Sequence, residues 1–305
     1  MQQRQRAMVI SGGGSKGAFA GGVAEYLIEH QKLQYQYFLG TSTGSLLVSH
    51  LALGEIQKVK DLYLNIKQEE VFSVNPFTTS LKNGYTKIGI NHFSVLQNLA
   101  KGQSTFGDSS NLRKYLEKNF TFEEFLRLQS SFKIIAVTVS NLTENLPEYK
   151  RLDECTYKEF LDWIWISCNY IPFMSLVKVD GRQYADGGFS CQIPIAKAIE
   201  LGAEHVDVIV LHTESTQINP MPSTNPFSLM STVFDFMIDQ VGKKDILLGK
   251  SMAKQHGVTL DFYFIPNVLT TNSLVFNKEQ MTLWWKQGFE FAKEKAKSNI
   301  SDTGG

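Results

Sequence analysis

The chain reads as an α/β protein built in layers, and three observations predict this. A short apolar strand, a glycine loop and an amphipathic helix open it, over Ala7 to Glu29. A second strand then turns directly into a second helix through Gly40-Thr41-Ser42-Thr43-Gly44. Further on, apolar strands such as Phe132 to Ser140 and Val206 to Leu211 alternate with helical stretches.

The elements follow in order. Ala7 to Ser11 is the first strand, and in Ala18 to Glu29 the residues Phe19, Val23, Tyr26 and Leu27 share one helical face. Tyr35 to Leu39 is the second strand, and Ser45 to Leu53 is an apolar helix without Gly or Pro. Glu55 to Lys67 is helical, with Ile56, Val59, Leu62 and Tyr63 inward. From Gln68 to Gly107 the periodicity weakens. Asn75-Pro76, Asn83-Gly84 and Gly89 signal turns, and Phe72, Phe77, Tyr85 and Phe93 are scattered. This segment is expected to be irregular, either as scaffold or as a cap over an apolar cleft. A helix over Ser109 to Asn119 is capped by Asp108 or Ser109, and Thr121 with Glu124 forms a capping box for the next. Phe132 to Ser140 is a strand, Leu146 to Leu152 its neighbour and Thr156 to Cys168 a helix. Leu176 to Val179 and Gln183 to Ala185 form a hairpin about Asp180-Gly181. Pro194 to Leu201, Asn225 to Lys254 and Lys278 to Lys297 are helices, the second interrupted at Gly242, and Leu260 to Ile265 is a late strand. No linker or repeat divides the chain, so residues 7–298 read as one domain and 299–305 as a polar tail.

Composition narrows the function classes. Lys+Arg number 30 and Asp+Glu 30, so the chain lacks the basic surplus that phosphate neutralisation requires, and nucleic acid is not expected as a partner. Cys155, Cys168 and Cys191 have no metal-ligand spacing and read as free thiols in a reducing compartment; no metal or cofactor is expected. The first residues lack the apolar core of a signal peptide, and no window is apolar enough to span a bilayer. The expectation is a cytoplasmic protein, with export that uses no N-terminal signal left open. Oligomeric state is not legible.

Three motifs carry chemistry. Gly40-x-Ser42-x-Gly44 lies between a strand and a helix. A strand that turns straight into a helix strains its turn residue, and glycines two positions either side relieve the crowding. The Ser42 hydroxyl is then presented at the strand tip beside a helix N-terminus that favours negative charge. Gly12-Gly13-Gly14-Ser15-Lys16-Gly17 fits the glycine spacing of a dinucleotide fingerprint, but no acidic residue ends the second strand. No Gly-Lys-Ser/Thr closes it as a phosphate loop. Such a loop can still converge its N–H groups on an anion, and beside Ser42 that anion would be an oxyanion. Asp186-Gly187-Gly188 follows the hairpin; alone it would pass for a turn. No histidine has an obvious catalytic setting. His30, His50, His92, His205 and His256 read as surface or capping residues, and His212, at a strand end, is the one worth following.

These motifs, in this order, resemble those of the patatin-like phospholipases. Ile166-Ser167-Cys168-Asn169-Tyr170-Ile171-Pro172-Phe173 also resembles the family's small-residue and proline block, although Cys168-Asn169 stands where small alanine-like residues are usual. The resemblance spans about Met8 to Leu211. It implies a three-layer α/β/α fold around a mixed, mostly parallel sheet. It further implies a Ser-Asp dyad, with Ser42 as nucleophile and Asp186 as proton acceptor, and an oxyanion hole in the loop Gly12, Gly13, Gly14, Ser15, Lys16 and Gly17. Gly40, Gly44, Gly187 and Gly188 would shape the elbow and the Asp motif. Lys16 would steady the loop or attract an anionic headgroup. The implied activity is a serine lipid acyl hydrolase acting on phospholipid or another acyl ester. An acyltransferase using the same acyl-enzyme and a non-catalytic lipid-binding module remain as alternatives. The acyl cleft is expected to be walled by Leu46, Leu47, Tyr170, Phe173 and the aromatics of Gln68 to Gly107. Transient membrane contact is placed in Phe227 to Leu248, through Phe234, Phe236, Met237 and Ile238.

Overall fold

The computed structural model describes residues 5–82, 85–215, 226–270 and 272–302. Its strands are β1 (Arg6–Ile10), β2 (Tyr37–Thr41), β3 (Phe77–Lys82), β4 (Tyr85–Ile90), β5 (Ile134–Asn141), β6 (Leu146–Arg151), β7 (Val177–Val179), β8 (Arg182–Asp186), β9 (His205–Val210) and β10 (Thr259–Phe264). Its helices are α1 (Gly17–Glu25), α2 (Thr43–Leu53), α3 (Ile56–Asn65), α4 (Gln68–Val71), α5 (His92–Ala100), α6 (Ser110–Asn119), α7 (Phe122–Gln129), α8 (Tyr157–Ser167), α9 (Ile195–Glu200), α10 (Pro226–His256) and α11 (Lys278–Asp302).

One eight-stranded sheet runs β10-β9-β1-β2-β5-β8-β7, with β6 on β5. β10, β9, β1, β2 and β5 are mutually parallel, and β6, β7 and β8 pair antiparallel. Successive side chains alternate across it. Met8, Ile10 and Phe38 join the larger core under α1, α2 and α11, whereas Ala7, Val9, Tyr37 and Leu39 join a smaller core with residues of α9 and α10. Both faces are therefore covered by helices, which is the three-layer α/β/α arrangement. On the larger side α11 lies so close to α1 that a Cβ at Gly21 would sit 2.1 Å from the Trp285 ring.

The register explains how the site is assembled. β6 pairs Ala136 to Asn141 of β5 and so occupies one edge of that strand. β2 and β8 must share the opposite edge. β2 runs up it and ends with Thr41 opposite Thr138. β8 runs down it and ends with Asp186 opposite Val139. Two strands distant in sequence thus meet end to end at consecutive residues of β5, one ending at the residue before Ser42 and the other on Asp186.

Three expectations differ from the structure. The segment from Gln68 to Gly107 is not irregular: it folds as α4, the antiparallel pair β3-β4 and α5. Its strands are short and rich in Thr and Lys, which masks the alternation that a buried strand would show. The turn at Asn83-Gly84 and the side chains of Tyr85 and Phe227 lie outside the described residues. α10 is continuous through Gly242, because one glycine weakens a helix of this length by only about 1 kcal/mol. α11 continues beyond Lys297 to Asp302.

Candidate active site

Ser42 sits between β2 and α2 with φ 52° and ψ −118°, a strained conformation for any residue with a side chain. The packing around it explains the flanking glycines. A Cβ at Gly40 would lie 2.3 Å from the Gly44 carbonyl carbon, and one at Gly44 would lie 2.2 Å from the Ile10 carbonyl oxygen. The strained peptide is held from the far end of α8. The Ser42 N–H donates to the Ser167 hydroxyl at 2.9 Å, and that hydroxyl donates to the Thr138 carbonyl at 2.6 Å. The Cys168 thiol donates to the Ser42 carbonyl at 3.2 Å. Both backbone groups of Ser42 are thus occupied by the Ser167-Cys168 pair, and Cys168 has a positive role here.

Asp186 ends β8 and is 3% exposed. Its N–H donates to the Asn169 carbonyl at 2.9 Å, and its Oδ1 accepts the Gly188 N–H at 2.8 Å. The Ser42 side chain lies beside the same carboxylate in one cavity, with no imidazole between them. Burial raises the Asp186 pKa to about 7, against the opposing effect of the neighbouring Ser42 side chain and the Gly188 N–H. Gly187 is fixed by close approach, since a Cβ there would meet the Thr138 carbonyl oxygen at 2.2 Å.

The glycine loop is tied down through its carbonyls. Gly12 C=O accepts from the Gln192 side-chain amide at 3.0 Å, Gly13 C=O from the Lys16 N–H at 3.2 Å, and Gly14 C=O from the Thr43 hydroxyl at 2.9 Å and from the Tyr63 hydroxyl. A trans peptide points its N–H away from its C=O, so this anchoring presents the amides on the other side. Of the six loop residues expected to form an anion hole, four have N–H groups already taken. Gly12 donates to Gln192, Ser15 to the Ser273 carbonyl at 2.7 Å, Lys16 to Gly13, and Gly17 to Gly14 and Ser15. The Gly13 and Gly14 N–H groups have no internal acceptor among the described residues. Gly14, at φ 54°, could not carry a side chain, since its Cβ would fall 2.1 Å from the Ser273 oxygen.

Ser42, Asp186, Gly12, Gly13, Gly14 and Lys16 open into one cavity of about 570 Å³. An apolar arm is walled by Leu46, Ile66, Val71, Phe77, Leu112 and Phe173. Tyr170 and Leu46 line the cavity as expected, but Leu47 packs in the core behind α2. Of the expected aromatics among the described side chains, Phe77 alone reaches the wall; Phe72 is buried in the core and Phe93 is exposed. The sequence motifs assign the chain after His212 no part in the cavity. The structure uses it as a side of the cavity, through Asp235, Ile238 and Asp239 of α10 and Val268, Thr270, Asn272, Ser273, Leu274 and Phe276 after β10. Nothing in the sequence distinguishes Ser273, whose part is played by a backbone carbonyl.

A family model described as patatin-like phospholipase matches residues 8–199, which is more than half of the chain. The chain belongs to the patatin-like phospholipase family. Among solved structures, VipD from Legionella pneumophila is similar, with a TM-score of 0.51 and 14% identity over 97% of this chain and 67% of that one. A likeness at that identity concerns the fold. No curated protein gave a match. The family match ends within α9, so the α10 wall of this patatin-like cavity lies beyond it.

Proposed function

We propose that the protein is a serine lipid acyl hydrolase of the phospholipase A or esterase type. The observation that carries this reading is the strained Ser42 side chain set beside the buried Asp186 carboxylate in one cavity. Ser42 Oγ attacks the ester carbonyl while Asp186 takes its proton. A carboxylate raised to about 7 by burial is a far better base than an ordinary aspartate and is still about half ionised at neutral pH. The oxyanion forms against the Gly13 and Gly14 N–H groups, each worth roughly 3–4 kcal/mol there. Asp186 returns the proton to the departing alcohol, leaving an acyl-Ser42 whose chain lies in the apolar arm. Water then attacks the acyl carbonyl and gives its proton to Asp186. The fatty acid departs and Ser42 recovers its hydrogen.

The substrate reaches the cavity from a lipid surface. Among the residues proposed for that contact, Phe236 and Met237 are exposed on α10, whereas Phe234 packs on Tyr170 and Phe189, and Ile238 lines the cavity. No helix among the described residues is long and apolar enough to cross a membrane.

Replacing Ser42 with Ala is the direct test. Hydrolysis of a p-nitrophenyl ester and release of fatty acid from phospholipid vesicles should both fall by at least about a thousandfold. A Ser42→Ala protein that hydrolyses either substrate at the wild-type rate would remove the nucleophile and the proposal with it.

A further inference from the structure

The cavity lining also has a polar part, to which α10 contributes. Asp235, Ile238, Asp239 and Gly242 fall at i, i+3, i+4 and i+7 on one helical face, a span of roughly 10 Å. The first three line the cavity with Lys16, His212 and Gln192. Gly242 packs beside two of these side chains, since a Cβ there would lie 3.2 Å from His212 Nε2 and 3.5 Å from Gln192 Cγ.

Hydrogen-bond capacity in this part is unbalanced. Gln192 is 7% exposed, and its Oε1 has no partner. His212 Nδ1 lies 3.2 Å from the Thr213 carbonyl, so Nδ1 carries the hydrogen and Nε2 is a bare acceptor, also buried and unpartnered. Burial keeps this imidazole neutral by lowering its pKa. Among the described residues, Asp235 receives one 3.3 Å bond, from the Tyr170 hydroxyl, and Asp239 pairs with Lys243 at 2.6 Å. Lys16 is the cation on the glycine-loop side; burial lowers its pKa, and the carboxylates of Asp235 and Asp239 oppose that. Two carboxylates therefore line the cavity with one neutral donor and one lysine between them, while the His212 and Gln192 acceptor atoms are buried behind its surface. The charges of Lys16, Lys243, Asp235 and Asp239 cancel, so the surroundings match a zwitterion better than a net anion.

We propose that this part of the cavity is a headgroup subsite for a zwitterion with a primary ammonium, an ethanolamine-type phospholipid head. Lys16 takes the phosphate, and the ammonium lies against the Asp235 and Asp239 carboxylates. The selectivity follows from donor count. A primary ammonium offers three N–H groups to these acceptors and a quaternary choline offers none. A serine head adds a carboxylate that Asp235 and Asp239 repel. The assignment rests on the acyl hydrolase reading of the same cavity and deepens it.

The test uses short-chain ether analogues of the ethanolamine, choline and serine phospholipids, titrated calorimetrically into the full-length protein below their micelle concentrations. They carry no ester, so binding is read apart from turnover. The ethanolamine analogue should bind at least about tenfold more tightly than either other, the worth of one charge-assisted hydrogen bond. Asp235→Asn and Asp239→Asn should each reduce that preference severalfold. Equal affinity for the ethanolamine and choline analogues overturns the proposal, as does unchanged ethanolamine binding in both variants. If Asp235→Asn does not fold, the wild-type preference and Asp239→Asn decide. Wild-type protein that turns over no ester yet keeps the head preference would end the hydrolase reading and leave the subsite standing.

Discussion

Replacing Asp186 with Asn should inactivate the protein and at the same time stabilise it at neutral pH. The amide keeps the shape of the carboxylate, accepts the Gly188 N–H through Oδ1 and donates to Ser42 Oγ, but it takes no proton. Raising an aspartate from 3.8 to about 7 corresponds to about 4 kcal/mol of preference for its neutral form. The sign follows from proton binding. Below 3.8 the folded and unfolded chains both hold the proton, and Asp186 contributes its full stability. As pH rises towards 7 the unfolded chain releases the proton while the folded chain keeps it, so the contribution is progressively lost, and above about 7 it is gone. The stability advantage of Asp186→Asn should therefore be small near pH 4, grow through pH 6 and level off above pH 7 at up to about 4 kcal/mol. Urea denaturation of both proteins at pH 4.5, 6 and 8 measures it. Ester hydrolysis by the variant should fall at least about a hundredfold. In the wild type kcat/KM should drop tenfold per pH unit below about 7, reaching roughly one per cent of its plateau at pH 5. A pH-independent stability gap, a variant less stable than wild type at pH 8, or a rate profile that stays flat down to pH 5 would each refute Asp186 as a buried base.

Other substitutions probe the frame around the dyad. Gly44→Ala places a Cβ 2.2 Å from the Ile10 carbonyl oxygen and should cost about 1–3 kcal/mol by thermal or urea melts, with a larger loss of activity because the elbow itself must shift. Leu112→Phe narrows the apolar arm, so hydrolysis of long-chain p-nitrophenyl esters should fall about tenfold relative to the acetate; an unchanged chain-length profile would remove Leu112 from the acyl wall. Arg6→Ala strips the bidentate guanidinium from fully buried Asp207, leaving the Tyr35 hydroxyl at 2.8 Å, and should cost about 3–5 kcal/mol in urea unfolding; a loss under about 1 kcal/mol would show that the pair is not structural.

Local chemistry made much of this protein legible in its residues. Five apolar strands and the helices between them follow from periodicity, and the expected capping box at Thr121 forms with Glu124. Gly40 and Gly44 marked the elbow because only a residue without Cβ fits beside backbone at those distances. What depends on long-range register was not legible. That Asp186 meets Ser42 follows from β2 and β8 abutting on one edge of β5, and no local pattern encodes which edge a strand takes. The selection of Gly13 and Gly14 as the free amides depends on a carbonyl at Ser273, far along the chain. The acidic face of α10 reads in sequence as ordinary helix. It acquires meaning only where tertiary packing sets Asp235 and Asp239 across a cavity from Lys16, because opposed charge and unmatched acceptors are properties of a closed space, not of a segment.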